Sequence, residues 1–460
     1  MNDGAGGFGG RLRAARRSSG LTQQELAERS GLSVRAISNL ECGRIRWPYP
    51  DSVGRLADAL GLRDAQRAEF TAAAGHRLGH ATGTVRPRAA GFIPRLLPPR
   101  SPAFVGRAGE LKGLSRMLDE PGPATLITAI TGTAGAGKTA LAVHWAHQVA
   151  GRFPDGQLFV NLHGFGPSET PLTPADAAWM LLDALRVPAD RLPETAEAQL
   201  GLYRSLLARK RTLIVLDNAR DAAQVRPLLP GSPACRVIVT SRNQLPSLTA
   251  IEAARPLFTD TLTGTEARQL LATRLGSLRL AADRHATDQI IGSCAHLPLA
   301  LCIVAARAEL RPNLTLEHIA EHLARQPSLD AFTGMADPAA DLRAAFSWSY
   351  RQLDSAAART FRLAGLHPGT ELEPYAIAAL TGTTPEIAGR ALGSLERASL
   401  IKSAGPDRYT MNALLRAYAR EQAARHDMKA APSDRAIRAP RRRQYSPCAK
   451  RTPFLTNLHY

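Results

Sequence analysis

Ala124-Thr-Leu-Ile-Thr-Ala-Ile-Thr-Gly-Thr-Ala-Gly-Ala-Gly-Lys-Thr-Ala140 is an apolar, β-prone run that breaks into Gly132-x-x-x-x-Gly137-Lys138-Thr139. A turn built on Gly132, Gly135 and Gly137 lets consecutive backbone N–H groups converge on an anion, and the helix that follows adds its dipole. The flanks agree with this: a strand-like run precedes the glycines and a helix-like run, Lys138 to Ala150, follows them. Lys138 is therefore expected to reach the β- and γ-phosphates of a nucleoside triphosphate and Thr139 a Mg²⁺ ion.

A second half of the site is legible about 80 residues on. Thr212-Leu-Ile-Val-Leu-Asp217-Asn218 ends a buried strand on a carboxylate, which can hold Mg²⁺ through its water shell opposite Thr139. Lys138 and Asp217 then carry whatever catalysis there is. Position 218 limits its rate, because an amide cannot act as a base toward water. Slow hydrolysis, with the nucleotide marking a state, is the expectation. Further strand-like runs at Gln157 to Leu162 and Arg236 to Thr240 alternate with helical stretches, which implies a mostly parallel sheet covered by helices.

The chain around this unit has 460 residues, too many for one core. It lacks an apolar run of the roughly 18 residues needed to cross a bilayer, and no signal-peptide pattern opens it, so a cytoplasmic protein without a membrane partner is expected. Five scattered cysteines without C-x-x-C spacing read as reduced and structural. Net charge is +18, and the excess sits toward the ends: residues 81–101 hold 4 basic and 0 acidic side chains, residues 426–460 hold 8 against 2. Such a distribution suits a polyanion partner.

Near the N-terminus, Leu21-Thr-Gln-Gln-Glu-Leu-Ala-Glu-Arg-Ser-Gly-Leu-Ser-Val-Arg-Ala-Ile-Ser-Asn-Leu-Glu-Cys-Gly43 contains two short amphipathic helices. Thr22 caps the first, with Glu25 completing a capping box, and Ser33 caps the second. Leu26, Ala27, Ile37 and Leu40 form the inward face, and Gly31 supplies the positive φ of the turn. This is a helix-turn-helix signature. The second helix should enter the major groove of double-stranded DNA, exposing Val34, Arg35, Ser38 and Asn39, with Arg35 on guanine and Asn39 on adenine. Gln23, Arg44 and Arg46 should touch phosphates and set register.

Gln23, Ala27, Gly31 and Ile37 stand in the pattern of the Cro/C1-type (XRE) family, which the segment from residue 9 to about 72 resembles. By that resemblance Arg16 pairs with Glu41 as an internal salt bridge. The nucleotide region resembles the NB-ARC group of STAND NTPases, signal-transduction switches that include AfsR-like bacterial regulators. Val105-Gly106-Arg107 looks like that group's adenine-side motif, and Thr240-Ser241-Arg242 like its sensor arginine for the γ-phosphate. Leu297-Pro298-Leu299 looks like its GLPL element, with His296 replacing glycine and Pro298 near the base. Residues 341–425 resemble its winged-helix domain, where a Met-His-Asp motif binds the β-phosphate of ADP. Here Met411-Asn412-Ala413 occupies that place, so Asn412 keeps a donor without a charge, and a weakened ADP-bound state is implied.

The expected fold is multidomain: an all-α helix-turn-helix domain (1–80), a basic Pro-rich linker (81–101), an α/β P-loop NTPase domain (102–260), a helical domain (261–340), a winged-helix domain (341–427) and a disordered basic tail (428–460). The expected function is a DNA-binding regulator switched by ATP and ADP with Mg²⁺, self-associating in its ATP state. No 34-residue helical repeat is present, so any sensor is missing or is a separate protein. Two rivals remain open: an ATPase whose turnover is the output, and an ADP-bound scaffold or degenerate regulator that no longer switches.

Overall fold

The computed structural model describes residues 8–32, 34–42, 50–73, 92–120, 125–166, 170–188, 191–325, 328–333 and 337–427. The chain forms two compact units, one of residues 1–94 with 178–203, the other of residues 95–177 with 204–460. Residues 178–203 thus group with the N-terminal helices, although the sequence reading put them in the nucleotide domain. Trp179 packs against the N-terminal core, which accounts for the difference.

The first unit opens with five helices, α1 (Phe8–Ser18), α2 (Gln23–Ser30), α3 (Val34–Glu41), α4 (Pro50–Ala59) and α5 (Asp64–Ala73). Its core is built by Leu12, Leu26, Ile37 and Leu56, all fully buried, with Ala27 and Leu40 beside them as the apolar period requires. Thr22 caps α2 through a capping box: its hydroxyl accepts from Glu25 N at 3.2 Å while its own N–H donates to the Glu25 carboxylate at 2.7 Å. Gly31, at φ +64°, ends α2 in the left-handed conformation.

The second unit is centred on a five-stranded parallel sheet of β1 (Leu126–Thr131), β2 (Gln157–Asn161), β3 (Leu213–Ala219), β4 (Arg236–Ser241) and β5 (Arg255–Phe258) in the order β2-β3-β4-β1-β5. Helix α6 (Ala108–Asp119) precedes β1, and α7 (Lys138–Val149) follows it. Leu114, Leu141 and Trp145 pack from these helices, and Phe153 from the turn after α7, against Ile130, Val215 and Ile238 of the sheet. The strands are apolar almost throughout because both faces are covered. The expected tether to residue 101 ends earlier. Leu96 N donates to Gln157 O at 3.0 Å, Pro98 O is bound by His147 Nε2 at 2.7 Å, and Leu97 packs into the core, so this stretch is built onto the sheet.

Beyond the sheet come the helices Gly264–Leu275, Ser277–Ala282, Arg284–Ser293, Pro298–Leu310 and Leu316–Arg325. The last region holds Leu342–Tyr350, Ser355–Leu366, Pro374–Thr381 and Pro385–Arg397, then Ala413–His426. Between these helices run β6 (Glu371–Leu372), β7 (Lys402–Gly405) and β8 (Arg408–Thr410), an antiparallel sheet in the order β6-β8-β7. Among the described residues, no helix is long and apolar enough to cross a membrane, and Cys42, Cys235, Cys294 and Cys302 are free thiols. The basic tail and the linker up to residue 91 lie outside the described residues.

Candidate nucleotide-binding site

The carboxyl ends of β1, β3 and β4 open on one crevice, the usual place for a ligand in a parallel sheet. The turn from β1 into α7 begins at Gly132, whose φ is +145°. A Cβ there would lie 2.2 Å from Thr259 O, so only glycine lets the loop pass this close to the residues after β5. The loop ends at Gly137, and α7 starts on Lys138 itself, which places the helix N-terminus against the cavity.

Lys138 is buried, and its ammonium group donates to Gly132 O and Thr133 O, both at 2.8 Å. Burial and the nearby Arg242 charge pull its pKa down to about 7, against the opposing pull of Asp217. A cation whose hydrogen-bond partners are neutral carbonyls fits an anionic ligand: phosphate oxygens would supply the missing negative charge.

Thr139 Oγ1 donates to Asp217 Oδ1 at 2.8 Å, and Thr240 Oγ1 donates to the same oxygen at 2.6 Å. Burial pushes the Asp217 carboxyl upward in pKa, and these two hydroxyls pull against it. The pair predicted for magnesium, Thr139 and Asp217, is therefore together. A hydroxyl and a buried carboxylate facing one another are donors suited to a hard cation. Asn218, at φ +56°, spends its amide on Phe165 O at 2.8 Å and on Asn161 Oδ1 at 3.4 Å, and offers no base.

The cavity encloses about 560 Å³, the size of a small-molecule site. Gly135, Gly137, Lys138, Thr139, Asp217, Arg242 and Pro298 of the predicted set line it. Pro298 opens the helix Pro298–Leu310, and Leu299 N donates to Gly135 O at 3.2 Å, which joins this element to the phosphate loop. Val105, Gly106, Arg107, Gly132 and Asn412 are not in the lining. Val105 packs against the helical core, and Gly106, at φ +64°, lies beside the end of the Glu266 side chain. Arg107, buried at φ +61°, binds Ala136 O at 2.9 Å, Asp260 O at 2.6 Å and Glu110 at 2.9 Å. It braces the phosphate loop from behind.

Asn412 is engaged on both sides of its amide. Its Oδ1 accepts from Leu414 N at 3.0 Å, capping the helix Ala413–His426, and its Nδ2 donates to Ala295 O at 3.2 Å. The sequence reading missed Asn161, His163 and Phe165, which line the cavity from the loop after β2, and Trp348 and Ala345 from the helix Leu342–Tyr350. One signal existed for the first group. Asn161 pairs with Asp217 across neighbouring parallel strands, so the loop after β2 had to open on the same crevice.

In the N-terminal unit, Arg16 binds Glu41 at 2.6 and 3.1 Å, as the family resemblance implied. Gln23 Nε2 joins them, donating to Glu41 at 2.8 Å. Val34 is exposed at the start of α3 and Ser38 half-buried one turn on. Asn39 departs from expectation: it is only 9% exposed, because position 39 turns toward the side of Ala36 and Leu40 rather than of Val34 and Ser38. Ser33, Arg44 and Arg46, and the side chain of Arg35, lie outside the described residues.

A family described as a helix-turn-helix domain matches residues 8–70. Residues 124–229 match an AAA domain. Regulatory protein AfsR of Streptomyces griseus is 37% identical over 387 residues, 82% of this chain. Its counterpart from Streptomyces coelicolor is 37% identical over 410 residues, 84% of this chain. Over most of its own length the chain is thus similar to these AfsR proteins. It joins a helix-turn-helix domain to a P-loop NTPase domain and spans about two-fifths of the length of these relatives, 39% and 40%. Among solved structures, a Walker-type ATPase of Pyrococcus abyssi shares the fold at TM-score 0.51 and 11% identity, covering 71% of this chain and 98% of that one.

Proposed function

We propose that this chain is a DNA-binding transcriptional regulator of the STAND type whose DNA affinity is set by ATP or ADP bound with Mg²⁺. The observation that carries the reading is the buried Lys138, held by neutral carbonyls beside the Thr139–Asp217 pair, in a chain that also carries a helix-turn-helix. Lys138 and the loop N–H groups would hold the phosphates, Thr139 and Asp217 the Mg²⁺ ion, and Arg242 a third phosphate. With Asn218 unable to accept a proton from water, hydrolysis is slow and the bound nucleotide persists as a state. The region 341–427 touches the phosphate loop through Thr133, whose hydroxyl donates to Ser399 O at 2.8 Å, which supports a link between nucleotide state and domain arrangement. Release of that region in the ATP state would expose a surface for self-association and pair two helix-turn-helix units on repeated half-sites. A separate sensor protein would bias the same equilibrium.

A mobility-shift titration on DNA flanking the gene, with ADP or ATP and Mg²⁺, tests this. DNA affinity should differ between the two nucleotides in the wild type and not in Lys138→Ala. Arg35→Ala should lose about 1–3 kcal/mol of specific binding. Wild-type protein that ignores the nucleotide, or does not bind DNA at all, overturns the proposal, the second result favouring a scaffold.

A further inference from the structure

Arg242, the cation expected at a third phosphate, is already occupied. Its guanidinium lies 5.1 Å from the centre of the Phe165 ring and 5.2 Å from that of Trp348, and donates to Ala345 O. The two rings belong to separate parts of the chain that meet at this side chain. Phe165 sits in the loop after β2, pinned because a Cβ on Gly164 would lie 2.4 Å from Arg220 N and because Asn218 Nδ2 holds Phe165 O. Trp348 and Ala345 come from the helix Leu342–Tyr350, and Gln352, just past its end, donates to Gly164 O at 3.0 Å. The guanidinium thus has two aromatic rings against it, and the segments that carry them are tied to each other. Burial lowers the Arg242 pKa to about 10, and Asp217 opposes the shift, so the side chain stays charged at neutral pH.

On the nucleotide reading, a diphosphate anchored on the loop at Lys138 would leave this cage alone, whereas a third phosphate would need the same guanidinium. We infer that Phe165 and Trp348 set the cavity's preference for a nucleoside diphosphate over a triphosphate, by holding Arg242 on two aromatic faces and a carbonyl that a terminal phosphate must displace. The inference rests on the nucleotide reading above. It adds residues to it that were not in the predicted set.

Calorimetric titration of the full chain with ADP and with a non-hydrolysable imidotriphosphate analogue of ATP, both with Mg²⁺, measures the ratio of the two affinities. The wild type should favour the diphosphate at least tenfold, and Trp348→Leu should narrow that ratio at least fivefold. Phe165→Leu, removing the other ring, should move the ratio the same way and serves if Trp348→Leu does not fold. Arg242→Gln should widen the ratio, because the triphosphate loses its partner. If both leucine variants bind both nucleotides with the wild-type ratio, the cage has no such role. If the wild type binds neither nucleotide, the nucleotide reading fails first and the cage with it.

Discussion

Lys138 is where the chemistry of a single residue decides most. In the free protein its pKa is held near 7 by burial and by Arg242, far below the ordinary value near 10.5. Between those two pH values the unfolded chain binds more protons than the folded one, so this group's contribution to stability rises with pH across that window. Phosphate oxygens would reverse the shift by favouring the charged form. Binding of ADP at pH 8 without magnesium should therefore take up close to one proton, and at pH 6, where Lys138 is already charged, almost none. Titration calorimetry in buffers of different ionisation enthalpy reads the proton directly, and an equal uptake at both pH values would mean that Lys138 does not meet the phosphates. Asn412 teaches a different lesson at this scale. Its place in Met411-Asn412-Ala413 suggested a phosphate donor, yet an asparagine just before a helix is also a good cap, and in the structure it caps Ala413–His426 while holding Ala295 O.

Elements whose signal is local were legible in the chain. The glycine loop between β1 and α7, the carboxylate two residues short of the end of β3, and the capped helix α2 each carry their reason within ten or so residues. The cage around Arg242 was not, since Phe165 and Trp348 lie 77 and 106 residues from it in sequence and meet it only through tertiary packing. Asn39 failed for a related cause: a helix of eight residues has few positions by which to settle which face is outward. The bridge from α1 to the end of α3 offers a test at this scale. The Glu41 side chain is fully buried at its tip, and burial alone would raise its pKa, but hydrogen bonds from Arg16 and Gln23 outweigh that and bring it below the usual carboxylate range. Its stabilising effect is present above the ordinary carboxylate pKa and is lost as pH falls through the lowered one. Arg16→Met leaves that carboxylate without its main partner and should destabilise the helix-turn-helix unit by about 3 kcal/mol at pH 7. The loss should shrink toward pH 3, where protonation removes the charge. Chemical denaturation followed by circular dichroism at both pH values checks it, and a cost that is the same at both would mean that packing, not charge, is what Arg16 supplies.

At the scale of the molecule, the question is how a phosphate at the sheet could be felt by residues 341–427. Among the described residues, four hydrogen bonds cross from the nucleotide region to that segment without involving Arg242: Thr133 Oγ1 to Ser399 O at 2.8 Å, Gln244 N to Arg397 O at 2.7 Å, Gln352 Nε2 to Gly164 O at 3.0 Å, and Lys402 Nζ to the Asp260 carboxylate. The first starts inside the phosphate loop itself, and it ends on Ser399, a residue held at φ +52° with its own hydroxyl buried and unpaired. A non-glycine residue in that conformation carries strain of about 1 kcal/mol or more, which the surrounding contacts must offset. The Thr133 bond is one such contact, so a rearrangement of the loop would act directly on a strained turn. Thr133→Val keeps the shape and removes the donor. Its expected cost is about 1 kcal/mol, enough to raise the population of the opened arrangement roughly fivefold. Backbone amides of β7, β8 and the helix Ala413–His426 should then exchange with deuterium about fivefold faster, while those of β1 and β3 keep their protection. Unchanged exchange in β7 and β8 would show that the region 341–427 is held by its apolar contacts alone, and the path from phosphate to that region would have to run through Arg242.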